Sequence, residues 1–211
     1  VLVVDKAGFP RDKCCGDGLT TGALRVLDEL GFDPADVPSW TVVTEVFLRS
    51  PSGRNVALHL PDTATMGQFS AVAPRRELDA ALVALARRRG AEIREHIALE
   101  NLTLTTSHAE VGLSDGSTVR AEYVVAADGM WSPTRRLLGL HREGYLGEWH
   151  AFRQYFSGVT GPAAHRQYVW FDDDILPGYA WSFPVGRAPD GTALVNFGFG
   201  VPRDGRRIPD M

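Results

Sequence analysis

The sequence predicts a mixed α/β (α+β) fold, and three patterns lead to that class. Residues 1–5, VLVVD, form an apolar run that ends in an acid, which is typical of a parallel strand in a βαβ unit. Leu78, Leu82 and Leu85 recur at helical spacing and predict a long helix. From Trp149 onward apolar and polar residues alternate, which favours antiparallel strands. The expected architecture is an incomplete Rossmann-like domain interleaved with an antiparallel-sheet domain.

Glycine and proline divide the first part of the chain into its expected elements. A helix is expected over Leu19–Leu30, with Gly31 as its stop. Two strands are expected within Val42–Leu60, on either side of the turn Ser50–Gly53. Residues Asp62–Gln68 carry no periodic pattern and are expected to be irregular.

The middle of the chain is expected to hold the longest helix and a meander. The helix covers Arg75–Arg89, where arginines at the C-terminal end suit the helix dipole. Four strands then follow, over Ala91–Ile97, Leu99–Thr105, Glu110–Leu113 and Ser117–Ala127. The last of them ends in the apolar stretch Val124–Ala127, which is expected to run as a strand into Asp128–Gly129. Ser132–Pro133 predicts the N-cap and first turn of a short helix.

The aromatic-rich remainder is expected to add four strands, over Phe152–Val159, Gln167–Phe171, Tyr179–Phe183 and Ala193–Gly200. Pro184 cannot donate to a ladder and is expected to end its strand. The chain closes at Arg206–Met211 without a capped element, which predicts a truncation. The Rossmann-like domain is accordingly assigned to residues 1–40 and 75–140, and the sheet domain to residues 41–74 and 141–211.

The composition is that of an ordinary soluble globule. The 211 residues are 44% hydrophobic and 23% charged with a net charge of −4, which gives no sign of nucleic-acid binding. No apolar run reaches the roughly 18 residues of a membrane span. Cys14 and Cys15 are adjacent, which disfavours a disulfide between them and makes a reducing cytoplasm the default location. The histidines are scattered, so no metal site is expected.

The first strand carries the first candidate site residue. Asp5 ends the strand, where a carboxylate of a dinucleotide-binding unit accepts hydrogen bonds from a ribose. A strand-end acid in solvent is the alternative. The glycine fingerprint of such a unit lies about 20 residues before the acid, and those positions fall before Val1, so a piece of a longer protein is expected. Gly16–Gly22 is spaced GxGxxxG after a long loop and does not replace that fingerprint.

Two further segments have the composition of ligand-binding loops. The loop Arg11–Gly18 places cations, thiols and glycines ahead of a helix N-terminus, where backbone N–H groups and the helix end favour an anion. A solvated glycine-rich turn is the alternative. In Asp128–Gly129 the carboxylate can bind a ribose or ribityl hydroxyl, and the glycine lets a cofactor chain pass close. By itself such a pair is also a common turn.

The strand YAWSFP carries an aromatic stripe. Tyr179, Trp181 and Phe183 stand at period two, so their rings are expected on one face of the strand. Ala180 and Ser182 leave the other face nearly bare, so that a flat group could approach it. An aromatic stripe inside the core is the alternative interpretation.

Three stretches in register resemble the FAD-dependent geranylgeranyl reductase family, within the class of aromatic-hydroxylase-like flavoproteins. They are FPRDKCCGDGLT (Phe9–Thr20), VVAADGMWSPTRRLLG (Val124–Gly139), and YAWSFP with the later VNFGFGV (Tyr179–Pro184 and Val195–Val201). Cys14 departs from the family, which usually has proline at that position. Flavin-dependent halogenases have a similar aromatic motif and stay open as a neighbouring family.

The resemblance implies that FAD is the cofactor and that the Rossmann-like domain binds it. The residues implied to contact it are Asp5, Lys13, Cys15, Gly16, Asp17, Arg75, Asp128 and Gly129. Asp5 would hold the adenosine ribose, Asp128 the ribityl–pyrophosphate region, and Cys15 would lie near the flavin ring, although no residue is assigned as catalytic. Either Arg75 or Arg76 would reach the cofactor from the long helix. The residues implied to line the substrate cavity are Tyr179, Trp181 and Phe183.

The implied reaction is reduction of carbon–carbon double bonds in a prenyl lipid of the geranylgeranyl type, with NAD(P)H or another reductant as electron donor. Such an apolar substrate is compatible with peripheral membrane contact. An FAD-dependent monooxygenase or halogenase acting on an aromatic substrate is the first alternative. Halogenases use a catalytic lysine, and both lysines here, Lys6 and Lys13, fall in the cofactor region, which argues against halogenation. A non-enzymatic remnant without cofactor is the second alternative.

Overall fold

The computed structural model describes residues 1–61 and 69–203. The expectations for Asp62–Gln68 and for Arg206–Met211 therefore lie outside the described residues. Within the described chain no helix is long and apolar enough to cross a membrane.

The chain folds into two compact units that alternate along the sequence. Unit 1 comprises Val1–Phe9 and Val83–Gly147, and unit 2 comprises Pro10–Leu82 and Glu148–Met211. The predicted class, a mixed α and β fold with separate sheets, is confirmed. The assignment of one part to the cofactor and the other to the substrate stays a prediction.

The strands, in chain order, are β1 Leu2–Asp5, β2 Gly18–Leu19, β3 Thr41–Val43, β4 Glu45–Arg49, β5 Asn55–His59, β6 Ser70–Val72, β7 Glu92–Glu95, β8 Leu99–Leu104, β9 Ala109–Leu113, β10 Thr118–Ala121, β11 Trp149–Ser157, β12 Gln167–Trp170, β13 Tyr179–Arg187 and β14 Ala193–Pro202. The helices are α1 Thr21–Glu29, α2 Arg75–Arg88 and α3 Pro133–Leu137, with 3₁₀ turns at Pro34–Asp36 and Gly161–Ala164.

Unit 1 contains a parallel strand pair and a separate meander. Strands β1 and β7 run parallel, so that Asp5 at the end of β1 lies opposite Glu95 at the end of β7. Strands β8, β9 and β10 form the predicted antiparallel meander, and Gly116 supplies the positive φ of +81° that its Asp115–Gly116 turn requires. Helix α3 starts as predicted, because the Ser132 hydroxyl caps it by accepting the Arg135 N–H at 3.0 Å.

The predicted strand over Val124–Ala127 is wrong. Strand β10 already ends at Ala121, and the segment that leads to Asp128–Gly129 is irregular. Val125 is 88% exposed, so its side chain is not in a core. A strand needs a neighbour to accept its backbone hydrogen bonds, and no strand within the described residues pairs with this segment. Apolar composition alone therefore overestimated the length of β10.

Unit 2 is built on a six-stranded sheet in the order β11-β14-β13-β12-β4-β5, accompanied by the three-stranded sheet β2-β6-β3. The hairpin β4–β5 lies where the sequence predicted two strands around a turn. The region was expected to be antiparallel throughout, but β12 runs parallel to β4. These two strands are far apart in the sequence, so no hairpin fixes their relative direction.

The six-stranded sheet has two faces with different roles. The register places Tyr155 opposite Asn196 and Trp181 opposite Gly198. Asn196 and Gly198 are two positions apart on β14, so all of these residues share one face, which we call the site face. The opposite face, called the aromatic face, carries Trp170 and Phe199 among other rings. A buried cluster lies on each side of the sheet, formed by Val43, Val72 and Val185 on one side and by Ile175, Ala180, Phe199 and Val201 on the other.

Two expectations for strand β13 are wrong. Pro184 does not end the strand, which continues to Arg187 with an irregular register after the proline. Strand β12 pairs with β13 only as far as Ser182. Strand β12 therefore does not require a backbone donor at position 184, so a proline is tolerated there on that side. Ala180 and Ser182 do not leave a bare face either, because both are buried where β12 and β14 bring larger side chains over them.

Candidate functional site

The predicted site residues fall into two sets, one in each unit. Unit 1 holds Asp5 and Asp128–Gly129. Unit 2 holds the loop residues from Lys13 to Asp17, Arg75 at the start of α2, and the aromatic stripe of β13. The role of each residue toward a ligand stays a prediction, and each set is described below within its own unit.

In unit 1, Asp5 lies at the carboxyl end of a parallel strand pair. One oxygen of its carboxylate accepts the Ala7 N–H at 2.9 Å, which orders the turn after β1. Its neighbour across the pair, Glu95, accepts the Phe9 N–H at 2.8 Å and pairs with Arg87. The Phe9 N–H and then Arg87 hold the pKa of Glu95 below its usual range. Glu95 was not predicted as a site residue, although its place at the end of β7 is the same signal that singled out Asp5.

Asp128 is held as a carboxylate at the start of α3. Its side chain accepts the Thr134 N–H at 2.9 Å. Desolvation works against the charge, but hydrogen bonds from the side chains of Thr134 and Ser132 and from the Thr134 N–H lower the pKa of Asp128 to about 2. Gly129 follows with a φ of +75°, and no atom of another described residue beyond its chain neighbours lies within 4 Å of the place where a Cβ would stand. This turn therefore combines a fixed negative charge with open space beside the backbone.

In unit 2, the loop before β2 packs directly on the site face of the sheet. A Cβ on Gly16 would stand 3.3 Å from the Trp181 ring, and a Cβ on Gly18 would stand 3.1 Å from the Phe183 ring. Gly198 on β14 has no room for a side chain, because a Cβ there would overlap the Trp181 ring. Glycine at these three positions lets the loop and β14 close tightly around the indole of β13.

Asp17 lies at the centre of a buried hydrogen-bond network on the site face. Its carboxylate accepts the Tyr155 hydroxyl at 2.7 Å, the Asn196 side-chain N–H at 2.7 Å and the Arg75 backbone N–H at 3.1 Å. Asn196 also donates to the Cys15 carbonyl at 2.8 Å and accepts the Trp181 indole N–H at 3.0 Å. We call Asp17, Tyr155, Trp181 and Asn196 the Asp17 network.

The network holds a carboxylate in an unfavourable medium. Asp17 is only 1% exposed, and burial raises its pKa above the ordinary value even though Tyr155, Asn196 and the Arg75 N–H favour the charged form. Burial, together with the neighbouring Asp17 carboxylate, also raises the pKa of Tyr155. The Tyr155 hydroxyl therefore keeps its proton and donates a hydrogen bond to the Asp17 carboxylate.

Arginines surround the loop and are matched by acids. Arg75 and Arg11 both donate to the buried carboxylate of Asp79, Arg75 at 2.7 Å and Arg11 at 3.0 Å. Arg153 lies 4.4 Å above the Tyr155 ring and donates to the Asp12 carboxylate at 2.7 Å. These pairs bind the loop to the start of α2 and to β11.

Near this loop, one hydrogen-bond donor has no partner among the described residues, and one cation is exposed. Arg153 also donates to the Lys13 carbonyl at 3.0 Å, whereas its Nε is buried without a hydrogen-bond partner in the described part of the chain. Lys13 itself is exposed, and so is Cys14. Cys15 is half-buried, and both cysteines are free thiols. Across residues 1–61 and 69–203, no three His, Cys, Asp or Glu side chains are grouped closely enough to hold a metal ion.

The aromatic stripe of β13 is continuous but unequally accessible. Ring centroids of Tyr179 and Trp181 are 5.8 Å apart, and those of Trp181 and Phe183 are 6.3 Å apart. Trp181 is 7% exposed and is fixed by its bond to Asn196, whereas Tyr179 is 41% exposed. The sequence left open whether the stripe lies in the core or lines a cavity. Its middle lies in the core, whereas its Tyr179 end is accessible from outside.

The sequence alone did not indicate a role in the site for Tyr155, Asn196, Arg153 or Asp79. Asn196 had a visible signal, because it is the one polar residue in the apolar run Val195–Val201 of β14. A buried amide in such a run needs partners, and here the partners are Trp181, Cys15 and Asp17. Tyr155 had no comparable signal, since it stands among other aromatic residues in an alternating strand.

Comparison with known proteins places these features in a family context. Residues 1–171 match the family described as an FAD binding domain. Menaquinone reductase of Mycolicibacterium smegmatis is 35% identical over 221 aligned residues, which cover 100% of this chain and 51% of that protein. Tetracycline 7-halogenase of Kitasatospora aureofaciens is 31% identical over 150 residues, which cover 64% of this chain and 27% of the halogenase.

The fold also resembles solved structures. The crystal structure of the halogenase PltM in complex with phloroglucinol and FAD superposes with a TM-score of 0.72 at 22% identity, over 100% of this chain and 48% of that chain. The chain thus spans about half the length of the curated relatives that it matches over its whole length. FAD as the cofactor is confirmed by the family match, whereas the resemblance to geranylgeranyl reductases stays a prediction.

The residues of each unit fit a flavin dinucleotide in their chemistry. In unit 1, a carboxylate ends β1, and the turn at Gly129 is open where a side chain would stand. In unit 2, Lys13 offers an exposed cation, and the buried Arg153 Nε is a donor without a partner in the part of the chain described. Carboxylates suit ribose hydroxyls, and cations with N–H donors suit the pyrophosphate.

Proposed function

Because this chain belongs to the FAD binding domain family, we propose that it is part of an FAD-dependent reductase that saturates a carbon–carbon double bond in a prenyl-bearing lipid. The observation that carries the proposal is the alignment of the whole chain with menaquinone reductases of two mycobacterial species at 35% identity. Menaquinone is a quinone with a prenyl chain, so a substrate of that class offers a double bond and a long apolar surface.

Each unit carries residues that would suit a part of the cofactor. Asp5 and the Asp128–Gly129 turn of unit 1 suit the ribose and the ribityl–pyrophosphate region, respectively. In unit 2, Lys13 suits the pyrophosphate, and the backbone of Cys15 and Gly16 suits the region nearer the flavin ring. When bound and reduced, FAD would supply a hydride to one carbon atom of the double bond, and a proton would complete the other carbon atom. The task of the chain is to orient the lipid and to exclude water from the reacting carbon atoms.

The exposed end of the aromatic stripe supports an apolar substrate. Tyr179 is half-exposed beside the buried Trp181, so the strand presents an apolar ring at the surface without leaving a hole in the core. Covering such a surface with a prenyl chain stabilises the complex by about 25 cal/mol per Å² of apolar area. We expect Tyr179 to contact the substrate and Trp181 to support it from beneath.

A second candidate is an FAD-dependent halogenase or monooxygenase that acts on an aromatic substrate. It is favoured by the identity to tetracycline 7-halogenase. The lysines of the chain, Lys6 and Lys13, both lie in segments assigned to the cofactor, which argues against a separate halogenation site. This candidate predicts oxygen consumption, whereas the reductase does not require oxygen.

The test is anaerobic incubation of the purified protein with FAD, NADPH and menaquinone. The lipid is then exposed to air before mass spectrometry, because a quinol reverts to the quinone while a saturated prenyl bond stays saturated. A gain of two hydrogen atoms that survives reoxidation supports the proposal. If the two added hydrogen atoms are lost on reoxidation, the activity is limited to the quinone ring. Turnover of phloroglucinol with halide and oxygen would favour the second candidate.

A matched pair of variants tests the substrate contact. Tyr179→Phe keeps the ring, and Tyr179→Ala removes it. We expect KM for menaquinone to rise about tenfold in Tyr179→Ala, which corresponds to about 1.4 kcal/mol of lost apolar contact, and to stay near wild type in Tyr179→Phe. Equal KM values in all three proteins would remove Tyr179 from the substrate site.

A further inference from the structure

The backbone of Asp17 is held in a conformation that few residues adopt. Its φ is +64°, in the left-handed region, where the backbone of a residue other than glycine is strained. The Asp17 carbonyl accepts the Ala73 N–H at 2.9 Å, and its carboxylate accepts three further donors. Main chain and side chain are thus both fixed from outside the loop, which is how strained backbone persists at functional sites.

The direction of every bond in the Asp17 network is determined. An indole N–H can only donate, so the Asn196 side-chain oxygen must face Trp181. The amide nitrogen of Asn196 then faces the loop, and its two hydrogens go to the Cys15 carbonyl and the Asp17 carboxylate. The orientation set at Trp181 is therefore passed on to the backbone of Cys15 and Gly16.

We propose that Asp17 is a positioning residue that sets the conformation of Cys15 and Gly16 through Asn196, and thereby the reactivity of the Cys15 thiol and the geometry that this loop offers to flavin and substrate. The carboxylate is 1% exposed and its oxygens are engaged by Tyr155, Asn196 and Arg75. Asp17 thus acts through its neighbours and not by direct contact with a ligand. The catalytic part of this inference rests on the proposed function.

Asp17→Asn disturbs the network while it keeps the shape of the side chain. The new amide nitrogen must replace one of the two carboxylate oxygens. In one orientation it faces the Arg75 N–H, and in the other it faces the Asn196 N–H, so two donors meet in either case. In the second orientation the Asn196 amide is pulled from its place, and the Cys15 carbonyl loses its donor. In the first the Arg75 N–H loses its acceptor, which releases the loop from the start of α2.

The first readout needs neither cofactor nor substrate. In a Cys14→Ser background, Cys15 is the only thiol, and its alkylation by iodoacetamide is followed by mass spectrometry on the full chain. We expect Asp17→Asn to raise the alkylation rate about tenfold, the change that corresponds to loss of one hydrogen bond of about 1.4 kcal/mol. Asp190→Asn, at an exposed hairpin turn with its own side-chain hydrogen bonds, is the matched control and is expected to leave the rate unchanged.

Tyr155→Phe is the second variant, because it removes one donor and keeps the carboxylate should Asp17→Asn fail to fold. We expect an intermediate rise in alkylation. Unchanged rates in both folded variants would overturn the proposal. The second readout is the reaction with menaquinone, where a positioning role lowers kcat in Asp17→Asn with little change in KM. A changed alkylation rate without any prenyl product in the wild type would overturn the proposed function alone.

Discussion

The indole N–H of Trp181 donates to the side-chain oxygen of Asn196 at 3.0 Å inside the core of unit 2. Both residues are buried, Asn196 completely. Trp181→Phe keeps most of the apolar contact but leaves the Asn196 oxygen without its donor. We expect the free energy of unfolding to fall by about 1–3 kcal/mol, measured by urea denaturation. Trp149→Phe, at a half-exposed tryptophan of the same sheet, is the control, and an equal loss in both variants would contradict a specific role for the bond.

Two glycines of β14 provide a sharper test of packing around the same indole. A Cβ at Gly198 would overlap the Trp181 ring and the Phe152 carbonyl. Among the described residues, a Cβ at Gly200 would meet only the His150 carbonyl, at 3.7 Å. We expect Gly198→Ala to destabilise the fold by about 1–3 kcal/mol and Gly200→Ala to be nearly neutral. Thermal unfolding followed by circular dichroism measures both. Similar melting temperatures for the two variants would show that β14 can move away from Trp181.

The Asp17 carboxylate gives unit 2 a distinctive pH dependence. Burial raises the pKa of Asp17 in the folded protein above its unfolded value of about 3.9. Its contribution to stability is therefore fully present below about pH 3.9 and is lost as the pH rises through the folded pKa. We expect the stability of wild type relative to Asp17→Asn to fall as the pH rises above about 3.9, as measured by urea unfolding at each pH. A constant difference would mean that Asp17 titrates normally.

The pH dependence of stability that comes from Asp128 in unit 1 has the opposite sign to that from Asp17. Its pKa is lowered to about 2, so its stabilising contribution is present above about pH 3.9 and is lost as the pH falls toward 2. Thr134→Val keeps the shape of the side chain but removes the hydroxyl that bonds to the carboxylate. We expect the pKa of Asp128 to rise toward its ordinary value in this variant. Carboxyl ¹³C NMR titration measures the change, and Asp115, which is bonded to Ser117, is the internal control that must not move.

The irregular segment before Asp128 can be checked without any mutation. Residues 123–127 lie in no strand, whereas Thr118–Ala121 pairs with β9. Amide hydrogen exchange is therefore expected to be faster in the former than in the latter, because backbone groups outside a ladder exchange readily. Equal protection of the two segments would indicate that residues 123–127 pair with a neighbour in solution.

The sequence correctly predicted elements that depend on residues close together in the chain. The Ser132–Pro133 cap and the Asp115–Gly116 turn each depend on residues within a few positions, and both are found where the sequence placed them. The parallel pairing of β12 with β4 and the bond between Asp17 and Asn196, which are 179 positions apart, depend on tertiary packing. Composition indicated that the loop before β2 was unusual, but it could not name Asn196 or Tyr155 as its partners.

The close fit of two glycines to two rings constrains how this protein can change. Gly16 lies against Trp181 and Gly18 against Phe183, so a side chain on the loop requires the facing ring to move by a few tenths of an ångström or to become smaller. Substitutions at 16 and 181, or at 18 and 183, are therefore expected to depend on each other. A library that diversifies the strand alone will keep its large rings, whereas one that diversifies loop and strand together opens new shapes where the loop packs on the sheet.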